Sequence, residues 1–167
     1  MGMTLAQATS RAVNPLDLLE EMADTQGWPH VRSADDEFVV EPSRRWCAYR
    51  LHFLWQKDLD ALHLHCGIDT RVPEGKRREI NDLLANINER LWLGHFEVCS
   101  EDGTPTFRHT LLTRGQFAPG AEQLEDLVEA ALDECDRYYP AFQFVLWGGQ
   151  APEDAINAAL IDTVGEA

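Results

Sequence analysis

Positive charge is scarce in this chain. Fourteen lysines and arginines stand against 29 aspartates and glutamates, a formal net charge of −15 over 167 residues. A field of that sign repels phosphate backbones and opposes adsorption to anionic lipid, so no nucleic acid and no membrane is expected as a partner. Cysteine spacing that would point to a disulfide framework or a metal site is missing as well. Cys47, Cys66, Cys99 and Cys135 lie far apart with no C-x-x-C pair, which suits reduced thiols packed as small hydrophobes. No apolar run approaches 18 residues, and residues 1–7 lack the basic and apolar regions of a secretory signal. Together these absences lead us to expect a cytoplasmic protein.

The motifs of common cofactor and catalytic sites are absent too. Gly75-Lys76 lacks the first glycine and the Ser/Thr of a phosphate loop, and no G-x-G-x-x-G, G-x-S-x-G or H-E-x-x-H occurs. With 29 carboxylates, no spacing selects an acid–base pair. No catalytic residue, metal or cofactor is therefore assigned, and a non-enzymatic protein is expected.

What is present reads as an ordinary globular mixture, 44% hydrophobic and 26% charged. One domain over residues 14–162 is expected, after a loose lead-in over 1–13 and before a tail over 163–167 that frays. Asn14-Pro15 is a helix start, with a capping side chain and a proline where its missing N–H costs nothing. Leu16, Leu19, Met22 and Ala23 give that helix an apolar stripe, and Gly27 ends it. Residues 28–33 and 37–41 form two short strands or one bulged strand about Asp35-Asp36. From Arg44 to Gln56 alternation predicts a long strand. Cys47, Tyr49, Leu51, Phe53 and Trp55 lie on its apolar row, and Trp46, Arg50, His52 and Leu54 on the mixed one.

After a turn at Lys57-Asp58, Leu62, Leu64, Cys66 and Ile68 form the apolar row of the next strand, with His63 and His65 on the other. Pro73-Glu74 opens a second helix through Ile80, Leu83, Leu84, Ile87 and Leu91, ended by Gly94. Asp102-Gly103 favours a two-residue hairpin turn, which would set Val98 opposite Phe107 and Glu97 opposite Arg108. A third helix follows Pro119-Gly120 and is expected to kink or split at Pro140. Pro152 starts a short last helix. The order is α-β(1-2)-β-β-α-β-β-α-α, an α+β fold with an antiparallel sheet and packed helices.

Two features bear on function. Residues 115–167 hold 11 acids and a single base, Arg137, so the last third is suited to basic segments of a partner. The mixed strand faces hold Trp46, Arg50, His52, Leu54, His63 and His65, which we take as candidate partner-binding residues. A tight turn sets His52 opposite His63; a slip by two sets it opposite His65. Either brings two imidazoles together. That leaves two alternatives open: a metal or small-ligand site on His52, His63 and His65, needing a further ligand, or a pH-responsive regulator.

The stretch from Arg137 to Leu160, with Tyr138-Tyr139-Pro140 and Trp147-Gly148-Gly149, resembles the end of YbjN-domain proteins. These are small acidic bacterial proteins described as sensory transduction regulators. The element order from Asn14 to Leu160 is similar to theirs. The resemblance implies a fold like that of type III secretion chaperones and a homodimer that binds another protein. It carries no catalytic residue across.

Overall fold

The computed structural model describes residues 14–114 and 119–164. The expected lead-in over 1–13 therefore lies outside the described residues. Helix α1 (Pro15–Gln26) begins as its sequence dictates: Asn14 Oδ1 accepts the Leu16 N–H at 3.0 Å, and Gly27 closes it at φ 68°. Strands β1 (His30–Ala34) and β2 (Glu37–Val40) form a hairpin about Asp35-Asp36, the two-strand alternative.

The long strand is shorter than its alternation suggested. Strand β3 covers only Arg50–Gln56, and residues 44–49 form a loop closed by a bridge between Ser43 and Ala48. The loop is held elsewhere. Arg44 reaches Glu129 at 3.2 Å and Asp133 at 2.7 Å on a distant helix, which pulls the chain off the sheet.

A 3-10 turn, Lys57–Leu59, and Asp60 at φ 48° lead into β4 (Ala61–Gly67). This longer turn selects the slipped register, in which His52 faces His65, Leu54 faces His63 and Arg50 faces Gly67.

Helix α2 (Arg77–Asn88) buries Ile80, Leu83, Leu84 and Ile87 as its periodicity predicts, but ends six residues before Gly94. The Asn88 side chain explains the stop. It accepts the Phe96 N–H at 2.7 Å and donates to the Phe96 carbonyl at 3.0 Å, acting as a strand partner rather than a helical one. Gly94 serves a close approach instead, at φ 63° beneath the Phe107 ring.

The hairpin of β5 (His95–Val98) and β6 (Pro105–Leu112) departs from the expected register. Phe96, not Val98, faces Phe107, and Glu97 faces Thr106. Asp102-Gly103 does not form a two-residue turn. The loop holds Ser100 to Gly103: Gly103 donates back to the Cys99 carbonyl and Asp102 Oδ1 accepts the Thr104 N–H, both at 2.9 Å. The slip is two residues, so every side chain keeps its face.

Helix α3 (Ala121–Leu146) runs unbroken through Pro140, and α4 (Pro152–Val164) follows. The helix reaches two residues into the expected frayed tail; 165–167 lie outside the described residues.

The sheet has six antiparallel strands in the order β1-β2-β3-β4-β6-β5. Phe38, Leu51, Phe53, Leu64, Cys66 and Phe107 share one buried cluster with residues from all four helices. Helix α1 lies against β1–β3, α3 against β4 and β6, α2 against β5, and α4 rests on α3 and α2. The helices occupy one side of the sheet, and no described helix lies on the other.

Candidate functional site

The uncovered face follows from strand alternation. Where Leu51 and Phe53 point into the core, Arg50, His52 and Leu54 point away. The same holds for His63 and His65 between Leu62, Leu64 and Cys66, and for Arg108, Thr110 and Leu112 on β6. The register lays these side chains in rows across the strands. One row runs Val31, Val39, His52, His65, Arg108, His95; the next runs Glu37, Leu54, His63, Thr110. Val31 at 62% and Leu112 at 70% exposure are large apolar groups left to solvent on this face.

Carboxylates of the face each meet an arginine or an imidazole. His52 Nε2 lies 2.7 Å from Glu37 Oε1, Arg50 holds Glu41 at 2.9 Å, and Glu97 lies 3.5 Å from Arg108 and 3.6 Å from His95. His63 is bound on both nitrogens, to Thr110 Oγ1 at 2.9 Å and Gln56 Oε1 at 3.1 Å. The His65 ring meets that of His52 edge to face, centroids 6.3 Å apart. Its Nε2 is shut from solvent with no hydrogen-bond partner. Burial first, then Arg108 and His52, hold the His65 imidazole below its ordinary pKa, because each penalises the charged form.

Five of the six candidate residues thus share the open face: Arg50, His52, Leu54, His63 and His65. Trp46 does not. It sits in the 44–49 loop on the helical side, where its ring stacks on Tyr139 with centroids 5.8 Å apart and Arg45 lies 4.4 Å over it. Its indole N–H donates to the Asp136 carbonyl at 3.0 Å. That carbonyl is the one Pro140, four residues on, has no N–H to satisfy. Trp46 therefore supplies the donor that lets α3 continue. Arg108, Thr110, Leu112 and Glu37 were not foreseen as site members. Their alternation is visible in the sequence, but which strand lies beside β4 is decided by the crossover through α2.

The metal alternative loses its geometry. Among the described residues no three His, Cys, Asp or Glu side chains converge as a metal shell. His52 is turned to Glu37 and His63 to its two neutral partners, so the imidazoles do not share a centre.

The face continues at one end of the sheet into an open concavity of about 1840 Å³. It is lined by the start of α1, the β1–β2 turn, the β3–β4 turn, and Leu54, His63, His65 and Arg108. A site for a small ligand commonly measures roughly 300–1,000 Å³ and encloses what it binds. This one is larger and open.

The molecule is thus an α+β protein whose described helices cover one face of an antiparallel sheet, with no described element over the other. The sequence pattern of the YbjN family, described as "Putative bacterial sensory transduction regulator", matches residues 15–144, and the chain belongs to that family. The match runs from the start of α1 to the last turn of α3, so α4 lies beyond it. The fold is similar to the crystal structure of "YbjN, a putative transcription regulator from E. coli", with TM-score 0.53 and 12% identity over 74% of this chain and 87% of that one. A chain of the ExsC–ExsE complex gives TM-score 0.48 and 16% identity over 73% and 88%, a value at which likeness carries no weight. No curated protein matches the sequence. The family's description is that of a regulator and names no catalytic activity. Among the described residues no helix is long and apolar enough to cross a membrane.

Proposed function

We propose that this protein regulates by holding another protein on the open face of its sheet. One observation carries the reading: four helices crowd one side of six strands, and the other side presents Leu54, Leu112 and Val31 among paired polar groups with no described element over it. Exposed apolar side chains set among polar ones on a broad face are the pattern of a protein contact. Arg50, His52, His63 and His65 supply direction and Leu54 the desolvated contact; Trp46 acts by keeping α3 whole.

The test places a photo-crosslinking phenylalanine analogue at Leu112 on the open face, and at Glu125 on α3 as a control. Adducts to a protein from position 112 and not from 125 are expected in cells. Adducts from 125 alone, or from neither, overturn the reading. Homodimerisation belongs to the same proposal, with the outer backbone edge of β1, which no described strand pairs, as the surface that would support it; sedimentation as a monomer at high concentration would remove it. A pH-responsive form has its own support in the unpartnered nitrogen of His65 beside His52 and Arg108. Partner affinity that stays flat between about pH 5.5 and 7.5 would eliminate that form.

A further inference from the structure

We infer that the partner segment seated in the concavity is basic and amphipathic, alternating cationic and apolar side chains. This rests on the reading that the open face docks a protein, and adds the chemistry of what docks. The concavity has an acidic rim, and apolar side chains lie in it and beside it. Leu54 lines it, and Leu112 (70% exposed) and Leu59 (60% exposed) stand at the same end of the sheet. Ala61 is the register partner of Leu112, and the Thr113 N–H bonds the Asp60 carbonyl, which fixes Leu112 beside the β3–β4 turn. That turn brings Asp58 to the rim; the β1–β2 turn brings Asp35 and Asp36. The two turns meet through the Trp55 N–H, which donates to the Asp36 carbonyl at 2.8 Å.

Charge at the rim is unbalanced. Among the described residues no cation pairs with the carboxylates of Asp35, Asp36 or Asp58. Of the cations lining the hollow, Arg32 is directed to the carboxylates of Asp17 and Glu20 and to the Asp35 main-chain carbonyl at 3.0 Å, and Arg108 to Glu97. Among the described residues of the lining, Lys57 is the cation left to set against Asp35, Asp36, Asp58 and Asp60. An extended segment laid across the leucines would bury its apolar row and lift its other row to the rim, where a lysine or arginine finds a carboxylate that no described cation pairs. An acidic segment would meet those same carboxylates and be repelled. The net charge of −15 draws a basic partner from a distance, but the rim alone matches charge to the apolar spacing.

A fluorescent peptide of alternating lysine and leucine is titrated against the full chain by anisotropy, beside a glutamate–leucine peptide. The lysine peptide is expected to bind and the glutamate peptide not. Asp35→Asn/Asp36→Asn/Asp58→Asn should weaken it about ten-fold, the scale of three exposed ion pairs. Glu122→Gln/Glu125→Gln/Asp126→Asn removes equal charge from α3 and should change binding by less than about two-fold. All six residues are exposed, and circular dichroism checks that both variants fold. Equal loss in the two variants means attraction by net charge alone and overturns the inference. So does preference for the glutamate peptide, absence of binding, or a dimer that Leu112→Glu dissociates, which would make a second copy the occupant. If the peptide fails while crosslinks from position 112 persist, docking stands and the partner's chemistry is different. Loss of both removes the docking reading itself.

Discussion

Gly94 shows how much one backbone position can demand. A Cβ built there would lie 2.4 Å from Phe107 Cζ and 2.7 Å from the Arg108 carbonyl, at a φ of 63° that side chains rarely adopt. Phe107 cannot yield easily, since its ring packs edge to face on Phe96 with centroids 5.5 Å apart in the core. Gly94→Ala should therefore cost about 2–4 kcal/mol, combining overpacking with backbone strain. Urea denaturation measures it; a cost below about 1 kcal/mol would mean the Phe107 ring is free to move. The sequence alone marked Gly94 as a helix terminator, because glycine after an apolar stripe has that meaning most often. Its real reason is a neighbour 13 residues on, which no local pattern displays. Buried thiols were easier to anticipate. Cys66 and Cys135 lie fully buried as small hydrophobes, their sulfurs 3.5 Å apart and unbridged.

At the scale of elements, α3 is the instructive case. Proline inside a helix leaves the carbonyl four residues back without a donor, and a split at Pro140 is the local expectation. The helix instead borrows the Trp46 indole. Tyr49 and Arg44 gather on the same residue: the Tyr49 hydroxyl donates to Asp136 Oδ1 at 2.6 Å, and Arg44 Nε lies 3.6 Å from Oδ2. Burial, then the Asp136 carboxylate, push the Tyr49 phenol upward, so it remains a donor at ordinary pH. Trp46→Phe keeps a ring to stack on Tyr139 but removes the N–H. It should cost about 0.5–1.5 kcal/mol in the natural chain and clearly less in a Pro140→Ala background, where residue 140 again has its own N–H. A double-mutant cycle by chemical denaturation checks this, and equal costs in both backgrounds would refute the role given to the indole. The hairpin β5–β6 shows the same division. Its existence and its faces were legible in Asp102-Gly103 and the flanking alternation, but its register was set by hydrogen bonds inside the four-residue loop.

Across the whole molecule, titration should follow the imidazoles held below their ordinary pKa. Burial, then Arg108 and His52, depress His65; burial, then His95, depress His109. In the unfolded chain both titrate near pH 6.5, so the folded state binds fewer protons below that value. The stability they contribute is present above about pH 6.5 and is lost as pH falls through it toward their folded values. Glu134 works the other way. Burial raises its pKa against the nearby Arg137 at 3.0 Å, so its share is present below its unfolded pKa and lost as pH rises through the folded one. The clean measurement is therefore a difference: His65→Gln/His109→Gln should flatten the fall in denaturation midpoint between about pH 7.5 and 5.5. An unchanged pH slope in the double variant would show that these two groups do not govern it.

The sequence by itself determined most of the elements, the faces of the paired strands and the excess of acid. Capping residues, helical stripes and strand alternation are written in neighbours only a few positions apart, where a local physical rule reads them. Tertiary structure alone decided which strands adjoin, which register a turn of four rather than two residues imposes, and that Trp46 belongs to a helix far along the chain instead of the sheet face. Those outcomes depend on donors and acceptors from distant segments finding one another, and on all four helices gathering on one side. That gathering leaves the histidine-bearing face of the sheet with no described element over it.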